Sequence, residues 1–337
     1  MDSKMKKHQP RVTDKIKKIL RIALLTIAGL FLLNRTFFHI RLPEASKALA
    51  LFGAGFKPYA EPGENEAAVY FLDTGQSDCS LIMTETHNIL IDGGDLESGN
   101  IITGALNSLG VERLDYVLLS HPHIDHFGGM TEIFMNFPVG KLLMPFIPDD
   151  MLPRTYNYSR VLAAVELYDI ECEFVRAGDV FRSENFVLEI LAPIYNDYSE
   201  LNDLSIAARF IHGENAFLFT GDLETAAERD ILENGADIRA DVLKVGHHGS
   251  AGSSSAEFLE AISPEIAVIE AGVYNTYGHP KTEVIERLGE VGCREFFTTS
   301  LNGNIAIISN GEELRVEVEK NSAVLLDFYG ENQQISA

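Results

Sequence analysis

Long apolar runs are scarce in this chain of 337 residues. The run near its start, Ile22 to Leu33, covers 12 residues, whereas a full membrane span needs about 20. Cysteine is scarce too. Cys79, Cys172 and Cys293 are the only three. Their odd number excludes a paired disulfide framework, and their spacing excludes a zinc ribbon. Cys79 lies in a strand-like run and reads as a buried free thiol. No cysteine follows the apolar run, which excludes a lipoprotein anchor. Basic residues are rare beyond residue 60. Residues 61–337 hold 15 Lys/Arg against 47 Asp/Glu, a net charge of -32. No Lys/Arg stripe is left to neutralise a polyanion, which weighs against, without excluding, a nucleic-acid partner.

The first 60 residues have the opposite balance, with 12 Lys/Arg and 3 Asp/Glu. Residues 1–18 read as a basic cytoplasmic tail, and 19–40 as a transmembrane anchor or signal segment. Arg21 and Arg35 would snorkel to the two interfaces. The basic flank orients such a segment with the following domain outside. The expectation is therefore a single-pass membrane protein with its main domain extracellular, a secreted protein being the alternative. Residues 41–66, rich in Pro and Gly, read as a linker. The body spans 67–320, and 321–337 is a C-terminal tail.

Along the body, short apolar runs alternate with helical periodicities, the pattern of an α/β fold. Strands are expected at Val69–Asp73, Cys79–Thr84, Asn88–Asp92, Tyr116–Leu119, Lys141–Met144, Phe186–Leu191, Ser205–Ile211, Ala216–Phe219, Asp241–Val245 and Ile266–Glu270. Three more fall near 295–299, 304–308 and 313–318. Helices are expected near 98–109, 129–137, 155–168, 224–233, 255–262 and 282–288. Histidines and aspartates recur just past strand ends, where α/β folds place ligands.

The densest cluster is Ser120-His121-Pro122-His123-Ile124-Asp125-His126-Phe127-Gly128-Gly129. His121 and His123 can face one metal from an extended loop. Asp125 and His126 follow as the chain turns into a helix and can serve another. Gly128 and Gly129 let the backbone pass close to that turn. Imidazole with carboxylate suits Zn²⁺ first, and Mn²⁺ or Fe²⁺ as well. Asp222 ends a second buried strand, and one carboxylate can bridge two metals. His247 and His248 follow a third strand. One should bind metal, with His247 slightly preferred, and the other face substrate. His279 and Tyr277 read as lip residues of the groove. Asp73 and Asp92 are candidates for orienting the histidines. Ser250 belongs to a polar patch beside the His pair. Glu224 reads as a helix cap. His8, His39, His87 and His212 read as surface or turn residues.

At these residues the chain resembles the metallo-β-lactamase superfamily. More narrowly, it is similar to the C-terminal hydrolase domain of the ComEC family of late-competence DNA-uptake proteins. The likeness runs over about residues 67–310. Its markers are Phe71-Leu72-Asp73-Thr74-Gly75-Gln76-Ser77-Asp78, Leu90-Ile91-Asp92-Gly93-Gly94, Ser120 to Gly129, Asn202 with Ser205, Phe219-Thr220-Gly221-Asp222, Leu243 to Ser250 and Tyr277-Gly278-His279-Pro280. Relatives usually show Val and Gly in place of Thr74 and Ser77.

The resemblance implies a metallo-β-lactamase-like αββα sandwich, here following an N-terminal hydrophobic helix. It implies one metal on His121, His123 and Asp222, and a second on Asp125, His126, Asp222 and His247 or His248. Many members carry another histidine ahead of the bridging aspartate. Here Asn202, Asp203 and Ser205 stand in that region, so Asn202 or Asp203 supplies oxygen, or water fills the place. The expected chemistry is two-metal hydrolysis of a phosphodiester or phosphate ester, in a small molecule or the cell envelope. Asp125 or Asp222 would take the water's proton, and His247, His248 or His279 would help the leaving group. Amide, lactone or thioester hydrolysis is the alternative, and a non-catalytic binding module the third reading.

Overall fold

Strand β1 (Ala67–Phe71) is apolar at every position because both of its faces are buried. Ala68 and Tyr70 pack into one hydrophobic cluster, and Ala67, Val69 and Phe71 into another. That double burial announces a layered fold. In the computed structural model, residues 62–273 and 275–320 are described.

The other strands are β2 (Ser80–Met83), β3 (Asn88–Ile91), β4 (Leu114–Leu118), β5 (Val139–Met144), β6 (Glu171–Phe174), β7 (Val180–Arg182), β8 (Val187–Ala192), β9 (Ala207–His212), β10 (Asn215–Phe219), β11 (Val242–Lys244), β12 (Ile266–Ile269), β13 (Glu295–Thr298), β14 (Ile305–Ser309) and β15 (Leu314–Val318). They form two mixed sheets, ordered β15-β14-β1-β2-β3-β4-β5-β6 and β13-β12-β11-β10-β9-β8-β7. The sheets meet through a shared apolar layer that includes Val69, Phe71, Ile82, Phe210, Phe217 and Phe219. Phe71 stacks on Phe219 across it, ring centroids 6.1 Å apart. Burying each such side chain contributes roughly 1.5–3 kcal/mol.

Helices cover the outer faces. Those on the first sheet are α1 (Gly99–Ser108), a short turn α2 (Ile124–Phe127), α3 (Met130–Asn136) and α4 (Tyr156–Leu167). Those on the second are α5 (Thr225–Asn234), α6 (Ala256–Ile262) and α7 (Thr282–Glu290), and α8 (Thr299–Asn302) follows β13. Helix, sheet, sheet, helix is thus the layer order. The hydrophobic helix expected ahead of it falls in residues outside those described.

Strands β6 and β7 carry no clear sequence signal. Both lie at sheet edges, where one side needs no apolar cover. Glu171 and Glu173 of β6 project to the solvent side and pair with Lys141 at 3.1 and 2.6 Å. His212, expected at the surface or in a turn, ends β9 and is buried, with Nδ1 2.8 Å from Ser309 Oγ.

One expectation is corrected. Among the described residues, no helix is long and apolar enough to cross a membrane. The segment 19–40 on which the single-pass, extracellular assignment rested lies outside them. That localisation is withdrawn.

Strands β3 to β6 run parallel, as do β10 to β13. Their C-terminal ends deliver Asp92, His121, Asp222, His247, His248 and Glu270 to the same side of the sandwich. The strand ends, rather than any one loop, create the site.

Candidate metal centre

The histidine motif changes backbone form halfway. Past β4, Leu119 to Pro122 belong to neither strand nor helix, and His123 is extended. His123 then starts α2, its carbonyl accepting from the His126 and Phe127 amides. His121 and His123 therefore project from a loop, and Asp125 and His126 from a helical turn. The glycines after them are forced by contact. A Cβ on Gly129 would stand 2.4 Å from Gly93 O, and one on Gly128 would stand 2.3 Å from the Asp95 carbonyl carbon. This close approach brings the loop after β3 against α2.

Asp92 sits in that loop. Its Oδ1 accepts from Ser120 N at 2.8 Å, and its Oδ2 accepts from Ser120 Oγ at 2.7 Å. Oδ2 is also 2.8 Å from His126 Nδ1. With Nδ1 committed, His126 Nε2 is aimed at Asp222 Oδ2, 3.4 Å away. That is the carboxylate–histidine arrangement that orients a metal-binding ring. Asp92, expected to orient a histidine, thus contacts His126 and Ser120. Asp73 does not: its carboxylate lies 3.5 Å from Lys320 Nζ, because β1 ends before it and the chain turns toward the C-terminal strands.

The orienting partner missed in the sequence is Asp78. Its Oδ1 is 3.0 Å from His248 Nδ1, which also faces Glu270 O at 2.9 Å. His248 Nε2 then points to Asp125 Oδ2 at 3.3 Å. Lys244, from β11, donates to Asp78 Oδ2 and to Val245 O and lies 3.9 Å from Glu270 Oε2. Lys244, Asp78 and Glu270 are all buried. Lys244 and Glu270 had no visible signal beyond being charged residues in or beside apolar strands.

His247 and His248 both adopt left-handed backbone, with φ of 50° and 53°. This costs roughly 1–2 kcal/mol per residue and turns the two rings apart. His247 Nε2 lies 3.6 Å from Asp222 Oδ2, and its Nδ1 lies 3.6 Å from Glu224 Oε1. The structure therefore puts His248, not the slightly preferred His247, with Asp125, His126 and Asp222. With Nδ1 committed and Nε2 in that group, His248 has no nitrogen free for a leaving group, so that role is dropped.

Among the described residues three groups of ligand-type side chains come together: Asp125, His126, Asp222 and His248; His121, His123 and Asp222; and Asp78, Asp92 and His126, whose two carboxylates already serve Lys244, His248, Ser120 and His126; the first two are taken as the ligand groups. Within each, the candidate ligand atoms lie within 4.8 Å of one another. Asp222 belongs to both. Its Oδ1 and His126 Nε2 are buried with no hydrogen-bond partner. Unpaired buried polar atoms are costly, and a divalent cation on nitrogen and oxygen donors relieves both, so the residues fit a metal.

The protonation pattern agrees. Burial opposes charge on His126, but Asp222 and Asp92 outweigh it and hold its pKa well above the ordinary imidazole value. Burial likewise opposes charge on His248, yet Asp78 and Asp222 push it up to about 10. Burial, with His126 nearby, holds His121 well below the usual value. Burial raises Asp78, but Lys244 and His248 bring it down to about 2. The two rings whose pKa is raised, His126 and His248, thus belong to the same ligand group.

A pocket of about 310 Å³ opens over these groups, lined by His123, Asp125, Asp222, His247 and His248 together with Gln76, Ile124, Asn202, Tyr277 and His279. His279 stacks on Tyr277 with ring centroids 5.7 Å apart. Burial and the neighbouring histidines lower the His279 pKa to about 4, so it is neutral near pH 7. Ser250 does not line the pocket; its N donates to His247 O within the turn. Glu224 is the cap residue of α5, but its side chain makes no cap hydrogen bond. The side chain that serves this end is Asp203, whose Oδ1 accepts from Glu224 N at 3.1 Å.

Two facing sheets with carboxylate and imidazole ligands at their strand ends define a candidate dinuclear metalloprotein. The family model described as the Metallo-beta-lactamase superfamily matches residues 72–272. The chain belongs to that superfamily, whose members are usually dinuclear metal hydrolases. It is 30% identical to ComE operon protein 3 of Bacillus subtilis (strain 168), over 72% of this chain and 33% of that protein. It is 34% identical to Competence protein ComA of Neisseria gonorrhoeae, over 84% of this chain and 38% of that one. The chain thus spans about a third of the length of these curated relatives. Among solved structures, the metallo-beta-lactamase fold protein YhfI from Bacillus subtilis superposes with a TM-score of 0.44 at 12% identity, covering 69% of this chain and 96% of that one.

Proposed function

We propose that this chain is a two-metal hydrolase of phosphodiester or phosphate ester bonds. The observation that carries the reading is Asp222, a single carboxylate shared by both ligand groups. When bound, paired divalent cations supply Lewis acidity toward phosphoryl oxygens and a lowered pKa for an attacking water. His121, His123 and Asp222 would hold one, and Asp125, His126, Asp222 and His248 the other; Zn²⁺ and Mn²⁺ both suit these donors.

The chain's own groups do the rest. Asp92 and Asp78 fix which nitrogens of His126 and His248 face the centre. Asp125, partly open to the pocket, is the carboxylate placed to accept the water's proton. Its carboxyl is held well below the usual range: burial raises it, but the His248 hydrogen bond and His126 outweigh that. Neutral His279, at the lip, is placed to donate a hydrogen bond to a phosphoryl or leaving oxygen. The substrate is a small phosphodiester or one of the cell envelope. The net charge of -32 over residues 61–337 repels a long polyanion.

The test is a parallel assay of the purified full chain after metal analysis. Bis-p-nitrophenyl phosphate, p-nitrophenyl phosphorylcholine, single-stranded DNA and nitrocefin are offered, with Asp222→Ala as control. Bound divalent metal and phosphodiester turnover lost in Asp222→Ala are expected. Turnover of nitrocefin alone refutes the bond assignment, and absence of both metal and activity refutes the enzyme.

A further inference from the structure

One uncharged side chain of the pocket wall belongs to neither ligand group. Gln76 sits in the loop between β1 and β2 and lines the pocket. Its Oε1 accepts from Gly272 N, in the loop after β12, at 3.0 Å. Its Nε2 is buried with no hydrogen-bond partner.

The amide cannot turn round. A backbone N–H only donates, so the carbonyl oxygen must face Gly272 and the NH₂ must face away. The loop that carries it is braced. Thr74 Oγ1 donates to Ser77 O at 3.1 Å, and Ser77 Oγ to Thr74 O at 3.0 Å. Asp78 N donates to Asp125 O at 3.1 Å, which ties the loop to the metal centre. Gly272 is held as well, since Asn275 Nδ2 donates to its carbonyl at 2.8 Å and to His279 O at 2.7 Å. The two loops touch: a Cβ on Gly272 would stand 2.9 Å from Gln76 N. Gln76 Nε2 is therefore a donor fixed in direction with no acceptor in the chain. Such an atom is costly unless something binds it.

An oxygen acceptor on the substrate fits it. Among the described residues, no Lys or Arg lines the pocket. The other side-chain amide there, Asn202, spends its Nδ2 on Glu224 Oε1 at 3.1 Å. We propose that Gln76 is a substrate-contact residue whose Nε2 donates to a non-bridging phosphoryl oxygen, and that Gly272 N is what keeps the nitrogen, not the oxygen, toward the substrate. The inference rests on the phosphate-ester reading above. A non-bridging oxygen keeps its negative charge from substrate to product, so the same contact serves a bound phosphate product.

The experiment uses the full chain loaded with Zn²⁺. It measures turnover of bis-p-nitrophenyl phosphate and calorimetric binding of inorganic phosphate. Gln76→Ala is expected to weaken phosphate binding and lower kcat/KM about tenfold or more, the effect of losing one hydrogen bond to a charged acceptor. Its affinity for Zn²⁺ is expected to stay at the parental value, which reports an intact centre. Gln76→Glu separates contact from shape. Its carboxylate still accepts from Gly272 N but presents a charged acceptor where the NH₂ stood, so it is expected to lose more than Gln76→Ala. A residue that served only to shape the wall would rank the two in the opposite order. Unchanged phosphate binding in Gln76→Ala, a parallel loss of Zn²⁺, or a milder loss in Gln76→Glu overturns the assignment. A parent chain that neither turns over the diester nor binds phosphate defeats the phosphate-ester reading itself and the inference with it, a different result from these.

Discussion

Replacing Asp92 by Asn tests how the structure arranges the second ligand group. The carboxylate receives the Ser120 N–H, the Ser120 hydroxyl and His126 Nδ1, at 2.7–2.8 Å. Asn keeps the shape but turns one acceptor into a donor. If its NH₂ faces His126, the ring must accept at Nδ1 and carry its proton on Nε2, blocking the nitrogen that faces Asp222. If its NH₂ faces Ser120 N–H instead, two donors confront each other in a buried site. The first choice costs His126 its proton on Nδ1, the second leaves a buried donor without an acceptor, and a stability loss of about 1–3 kcal/mol follows from either. Loss of a carboxylate that orients a metal-binding histidine costs roughly 10–100-fold in metal affinity. Urea unfolding of the metal-free chain and calorimetric metal titration measure the two effects separately. A variant with parental stability that binds both cations with parental affinity would refute the role given to Asp92.

Two further outcomes follow from the same geometry. Gly129→Ala places a methyl 2.4 Å from Gly93 O, a backbone atom with little room to yield. A loss of about 1–3 kcal/mol is expected in urea unfolding, and an unchanged midpoint would show that the loops do not touch this closely. In the metal-free chain at pH 7, His126 and His248 are protonated, since both pKa values are raised, that of His248 to about 10. His121 and His123 are neutral, since both are lowered. Loading the group that contains His126 and His248 therefore releases about two protons, and its affinity rises as pH increases from 7 toward 10. Calorimetry in buffers of different ionisation enthalpy counts the protons. Zero release, or affinity that falls with pH, would contradict the protonation pattern.

How much of this was legible beforehand follows from the range of each signal. The His121-Pro122-His123 segment, the turn at Asp125-His126 and the aspartate closing an apolar strand are local patterns. Buried strands such as Ile266–Ile269 are visible because every residue is apolar. Strands β6 and β7 are not, because edge strands carry charge.

What the sequence by itself determined is the inventory: an α/β body, two histidine clusters and one strand-end aspartate, all placed by local periodicity. The tertiary structure decided their pairing. Two successive left-handed residues, not the order of His247 and His248, chose which ring joins Asp125 and His126. Asp78, Lys244 and Glu270 became a buried charged group only because strands distant in the chain end at one place. Asn202 acquired a direction from Glu224, 22 residues on. Side-chain orientation is set by partners across the fold, and such partners leave no periodic trace in one chain.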